Sequence, residues 1–250
     1  MGIELESLKG SWNFVKKYPQ IFLFQAVISL LILWSSVISE NLSYNQKMIF
    51  FIFPLVLFLL EATAYPVFVF FVMKKRKKVN FTRCVSISIK ILPFTSLYFL
   101  LVLFIIMFPS LIGFIFIIGT MENLLTFSLE EILSTFLPFL LIQLVCLFIS
   151  LYLFLRFWFA LPVYILEKKG VFDAISTTWK KSKGKAFSIF LTLLIFFLFI
   201  TLPLSLIGGL LILSSPSLFT YWKIFTDVFI QPLANSLPTV YYLKMKGKRR

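Results

Sequence analysis

The sequence predicts an all-α integral membrane protein, with six transmembrane helices and amphipathic helices at the membrane interface. Three observations carry that fold class. The 250 residues are 60% hydrophobic and 14% charged, where an average soluble domain has about 45–50% apolar and about 25% charged residues. The apolar residues, 33 of them Phe, run in long stretches almost free of charge. Between those stretches, 22 of the 24 Lys and Arg residues fall into four clusters, as expected where basic segments stay cytoplasmic.

The elements follow in order. Leu5, Leu8, Trp12 and Val15 recur at helical spacing opposite Glu6, Lys9, Asn13 and Lys16, which predicts a surface helix ahead of the first span. The uncharged run 21–39 is long enough for that span, since a helix rising about 1.5 Å per residue must cross a core of about 30 Å. A polar loop over 40–47 leads to the second span, 48–73, interrupted only by Glu61. The densest basic run, 74–78, follows, joined by Arg83 and Lys90. The third span, 91–118, lies in an uncharged stretch longer than a bilayer needs, with Pro109 and Gly113 as places to kink.

Glu122, Glu130 and Glu131 mark the next loop, and the fourth span takes part of 132–166 and carries Arg156. A second basic segment, 168–185, places Val171, Ile175 and Trp179 on one helical face, away from Asp173, Ser176, Thr177 and Lys180. Residues 186–222 are uncharged but too few for two spans and a turn, which take roughly 40. One span over 186–213 and a partly buried outer loop fit them. The last span, 224–243, is the most polar, with Asp227, Gln231, Asn235 and Ser236, and it ends in a basic tail. Six spans in a single domain, 1–250, put all four clusters on one side of the cell membrane with both termini cytoplasmic, and leave Lys47 and Lys223 opposite.

A threefold pattern runs through this layout. Trp12 and Trp179 stand at comparable places before their spans and are candidate interfacial anchors. Segment 79–90 is the less regular middle copy. Tyr65-Pro66-Val67-Phe68, Leu161-Pro162-Val163-Tyr164 and Leu237-Pro238-Thr239-Val240-Tyr241 mark the cytoplasmic ends of the even spans. The expectation is three units, each a surface helix, a span out, and a span back.

Several function classes are excluded. Histidine is absent, so no histidine zinc site, Ser-His-Asp triad or histidine-ligated haem can form. Cys84 and Cys146 suit neither a disulfide nor a thiolate cluster where they fall. No glycine-rich nucleotide motif occurs. The expected cofactors, metals and catalytic residues are therefore none. The net charge of +14 is read as basic loops meeting anionic lipid headgroups, not as nucleic-acid binding. The acidic N-terminus does not read as a cleaved signal or a myristoylation site. Asn41-Leu42-Ser43 is a formal glycosylation triplet close to the membrane.

Polar residues inside the spans are the candidate site. Glu61 lies roughly 20 Å from either end of its helix at helical rise, where an ionised carboxylate costs at least about 2.5 kcal/mol. Counted back from Glu167 and Lys74, Arg156 and Glu61 agree in depth within about 3 Å. The expectation is an intramembrane cluster of Glu61, Arg156, Gln231 and Asn235. Helix-to-helix ties without further role, and an Arg156 that snorkels to the headgroups, are the competing readings.

Arg156, Ala160-Leu161-Pro162-Val163-Tyr164, Glu167, Gly170, Ala174, Ser176-Thr177-Thr178-Trp179 and Lys183-Gly184 resemble a pattern shared by a loose group of prokaryotic membrane proteins. The ending Pro238-Thr239-Val240-Tyr241-Tyr242 is similar to theirs too. That group includes the membrane domain attached to some glycerophosphodiester phosphodiesterases and several uncharacterised multi-pass families. The resemblance implies architecture. The phosphodiesterase itself is a soluble barrel for which this chain has no room, so no catalytic residue carries over.

Three readings of function follow. The first is a non-enzymatic module that organises membrane lipid or a partner protein at the inner leaflet. The second is a small transporter or channel using the intramembrane polar site. The third is an intramembrane enzyme built on Glu61 and Asp227, which the placement of Asp227 near the opposite face disfavours.

Overall fold

The computed structural model describes residues 2–40, 44–75, 81–121 and 129–247. Every regular element among them is helical: α1 (Ile3–Lys17), α2 (Gln20–Glu40), α3 (Tyr44–Lys75), α4 (Phe81–Met121), α5 (Leu129–Phe157), α6 (Ala160–Glu167), α7 (Val171–Ser182), α8 (Ala186–Phe196), α9 (Leu202–Ser214) and α10 (Pro216–Gly247). A π-helical turn, Phe197–Thr201, joins α8 to α9. The glycosylation triplet, most of the basic run 74–78 and Glu122 lie outside the described residues.

Four helical runs are long and apolar enough to cross a membrane: Ile52–Val72, Phe81–Leu111, Leu140–Glu167 and Ala186–Ser214. The pair α1 and α2, which meet at 88°, supplies a fifth if counted as one span. This is a membrane protein by the length and composition of its helices. More than half of the first run is buried inside the protein (56%), against 17% to 22% of the other three. Helix α3 is therefore central, while α4, α5 and α8–α9 turn most of their apolar surface outward, as lipid-facing helices do.

Proline and glycine set the breaks. Pro19 disfavours helical backbone at Tyr18, and the chain turns there from α1 into α2. Helix α7 stops at Ser182, and Gly184 follows at φ +70°, the left-handed conformation that glycine supplies after a helix end. Pro162 cannot donate to the Trp158 carbonyl, and the fourth expected span breaks at Trp158-Phe159 into α5 and α6. Pro93 stays inside α4, where the Thr95 and Ser96 hydroxyls donate to the carbonyls of Ile91 and Leu92. The middle basic segment is not a separate surface helix: α4 runs unbroken from Phe81, with no Gly or Pro before Pro93 to turn it.

Helix α1 packs through only part of its apolar stripe: Val15 is buried and Leu8 is half-buried against the core. Ser7, Ser11, Phe14 and Val15 are buried, whereas Leu5 is exposed and Trp12 is 57% exposed. Small side chains let α1 lie close on α10: a Cβ at Gly10 would come within 2.7 Å of Val240 Cγ1. In α7 the buried stripe is likewise small, Ala174, Thr178 and Ser182, with Phe172 and Trp179 facing out. At the start of α4, Cys84 and Ser88 are buried and Ile89 is exposed. Each segment thus buries a hydroxyl residue (Ser11, Ser88, Thr178) and exposes the large apolar residue after it.

Helices α3, α6 and α10 pack against one another. Their proline-marked segments are the most buried part of the chain, including Tyr65, Val67 and Phe68, then Phe159 and Val163, then Leu237, Thr239, Val240, Tyr241 and Tyr242. Around this centre α1 lies on α10, the start of α4 on α3, and α7 on α6. Phe81 stacks on Phe68 at 5.2 Å, and Phe159 on Tyr242 at 5.6 Å. These contacts, with α1, α7, the lysines after α6 and those in the last turn of α10, form the basic end of the bundle.

Candidate functional site

Glu61 is 6% exposed on α3. The Asn235 side-chain amide, from α10, donates to its Oε1, and the Gln25 side chain, from α2, lies beside the same carboxyl. The Tyr65 hydroxyl, one turn further along α3, donates to Gln25 Oε1 at 2.8 Å. One amide thus donates to the carboxyl, a second lies beside it and is itself held by a phenol, and among the described residues no ion pair reaches it.

Arg156, 5% exposed, is held elsewhere. Its Nε donates to Ser182 Oγ at 2.8 Å, Nη1 to the Tyr152 hydroxyl at 2.7 Å, and Nη2 to the Trp179 carbonyl at 2.5 Å. Ser182 Oγ in turn donates to that carbonyl at 3.1 Å. The guanidinium also lies over the Trp179 ring, 3.8 Å from its centroid, in cation–π contact. The last carbonyls of a helix have no partner within it and form its negative pole. Arg156 therefore caps the C-terminal end of α7.

The expected cluster is divided: Glu61 and Asn235 meet, and Arg156 does not join them. The two groups turn to different neighbours: Glu61 faces Asn235 of α10, whereas Arg156 faces the end of α7. Among the described residues no carboxylate pairs with Arg156, and its side chain is buried. Gln231 also stands apart, exposed on a cavity of about 370 Å³ between α9 and α10 that it shares with Thr201, Ser205, Lys223 and Asp227. Of the two tryptophans, Trp12 faces outward as an anchor would, while Trp179, 41% exposed, also carries the guanidinium.

Two polar nodes at the basic end lay outside the expected site. The Glu167 carboxylate, ending α6, accepts from the Tyr242 hydroxyl. It also pairs with Lys181 at 2.5 Å, Lys246 at 3.1 Å and Lys169 at 3.4 Å, and so ties α6 to α7 and α10. The second node links three helices: Ser188 of α8 donates to Glu4 of α1, and Tyr241 of α10 donates to Ser188 Oγ at 3.0 Å. Asn235, Tyr241 and Tyr242 place α10 in three of these ties. Gln25 was legible as the one amide in an otherwise apolar run. For Glu167, Lys169 is a near neighbour, but Lys181, Lys246 and Tyr242 come from distant sequence and gave no local signal.

Among the described residues no group of three or more His, Cys, Asp or Glu could hold a metal ion, and Cys84 and Cys146 are free. No family model matches the chain, and neither a curated protein nor a solved structure is significantly similar to it.

Proposed function

We propose that the chain is a non-enzymatic six-span module of the cell membrane that organises lipid, or a partner protein, at the inner leaflet, with both termini cytoplasmic. One observation carries the reading: the buried charged groups Glu61 and Arg156 are engaged by neighbouring helices, while the basic end turns large apolar side chains and lysines outward. Glu61 accepts from an amide of another helix, and Arg156 donates to two hydroxyls and a carbonyl, which is what residues fastening helices do. Trp12, Ile89, Phe172 and Trp179 project from segments rich in Lys, a composition suited to the headgroup plane of an anionic leaflet.

The six spans are α2, α3, α4, α5–α6, α8–α9 and α10 in this reading, and they form three copies of one unit. The shared pairs Ser11-Trp12, Ser88-Ile89 and Thr178-Trp179 support the repeat, as do the three buried proline segments. Each surface segment packs on the even span of the unit before it, and α1 closes the ring on the last, α10. The likeness to the glycerophosphodiester phosphodiesterase membrane domain belongs to the same proposal, because the segments that carry it, around Pro162 and Pro238, are the centre of the bundle. Binding of the purified chain to phosphatidylglycerol vesicles is expected to weaken as NaCl rises, and phosphatidylcholine vesicles to bind less. Binding that ignores both ionic strength and headgroup charge would rule the reading out.

A second reading, a small transporter or channel, is favoured by the cavity between α9 and α10. It is lined by Asp227, Gln231 and Lys223 beside a π-helical turn, a feature frequent at functional sites. Solute flux into vesicles that Asp227→Asn abolishes would select it over the first.

A further inference from the structure

We infer that the groove between α3, α4 and α6 at the basic end holds one anionic phospholipid. Its phosphate rests on Lys168 and Lys169, and an acyl chain lies along Phe71, Ile87, Ile91 and Tyr164. The inference rests on the inner-leaflet reading and gives it a specific site.

The groove has a volume of about 480 Å³, within the range of about 300–1,000 Å³ usual for ligand sites. Its walls are apolar along their length and its two lysines stand at the basic end, which is the polarity of a single phospholipid and not of a soluble anion. One wall is fixed, because Tyr164 stacks on Tyr98 with centroids 4.4 Å apart and planes 10° apart. The mouth has cationic charge to spare: Lys169, Lys181 and Lys246 share the one Glu167 carboxylate. Lys169 is also steadied by Thr177 Oγ1 at 2.8 Å. Lys168 adds a further cation, exposed at φ +51°, with no hydrogen bond or ion pair to another described residue.

Lipid tails are as apolar as the groove, so the chain gains little by leaving the bilayer. Selection among lipids therefore falls to the headgroup, at about fivefold for each lysine near the surface.

The test is native mass spectrometry of the full chain, purified in detergent and offered equal phosphatidylglycerol and phosphatidylcholine. The wild type is expected to retain one phosphatidylglycerol. Lys168→Asn keeps a residue that tolerates the left-handed conformation, so the fold stays intact while the retention ratio falls about fivefold. Adding Lys169→Gln lowers it about fivefold again. Ile87→Trp fills the groove and is expected to remove the retained lipid while vesicle binding, which needs only the lysines, persists. Equal retention of the two lipids, no retained lipid, or an unchanged ratio in Lys168→Asn would overturn the site. If salt-sensitive vesicle binding survives that outcome, the groove is wrong and the inner-leaflet reading stands; if the wild type lacks such binding, the reading itself falls.

Discussion

Glu167→Gln tests whether the basic end is fastened by its one shared carboxylate. The substitution keeps the shape of the side chain and one acceptor oxygen, but removes the charge that draws Tyr242, Lys181, Lys246 and Lys169 together. The Tyr242 hydroxyl then passes from a charged to a neutral acceptor, losing about half of a bond worth about 1.5–3 kcal/mol. The Lys181 pair, whose lysine is 24% exposed, is screened by solvent and adds about 0.5–1 kcal/mol. Lys246 and Lys169, more exposed still, add at most about 0.3 kcal/mol each. The loss is about 2 kcal/mol, which for a chain of this length lowers Tm by about 4–8 °C. Scanning fluorimetry of the purified protein at low salt measures it, with Lys246→Gln as the control. A shift no larger than the control's would show that Glu167 is a surface charge with neighbours and not a fastening point.

Three other perturbations follow from the same geometry. Glu61→Gln and Arg156→Gln are expected to add within about 0.5 kcal/mol, because the two groups share no partner, and the exchange Glu61→Arg with Arg156→Glu is expected not to restore stability. A recovery in denaturation of the double variant would place the residues together after all. Gly10→Leu drives a side chain into Val240, where even a Cβ has only 2.7 Å. It should cost about 1–3 kcal/mol and speed tryptic cleavage at Lys9 and Lys16, whereas Gly209→Leu, with nothing within 4 Å, should leave both unchanged. Gly184→Ala forces a Cβ into φ +70° at a cost of about 1–2 kcal/mol, read as a lower Tm that Gly184→Asn partly restores.

Composition and charge alternation made the helical membrane class legible, because a bilayer constrains length and polarity over whole segments. Packing faces were not legible on the same grounds. Hydrophobic periodicity assigns the apolar stripe of a helix to the core, yet beside lipid the large residues are equally at home outside. In α1 and α7 the packed stripe is small and partly hydroxylic: Ser7 and Ser11 in one, Ala174, Thr178 and Ser182 in the other. Close approach of backbones drives that choice where water exclusion gives helices no reason to associate. The Glu61–Asn235 contact could be anticipated because a carboxyl and an amide in apolar spans have few partners to choose from. The Glu61–Arg156 pairing failed because agreement in depth does not fix direction: Arg156 turns to the carbonyl and hydroxyl at the end of α7, while Glu61 faces α10.

The same preference for small packed faces bears on the proposed threefold plan. Two of its three neighbour contacts, α4 on α3 and α7 on α6, join segments adjacent in sequence and so need little specific affinity. The third, α1 on α10, joins the two ends of the chain, with no short loop to hold the partners together. A glycine, Gly10, leaves no room for a Cβ against Val240 there, and Glu4, Ser188 and Tyr241 add a polar tie. A closing contact that must outweigh the entropy of a long loop needs that extra complementarity. Removing residues 1–17 should therefore uncover the buried Val240–Tyr241 face of α10 and lower Tm by more than Gly10→Leu does. A truncated chain as stable as the intact one would mean that the ring closes without α1, and the threefold plan would lose its last contact.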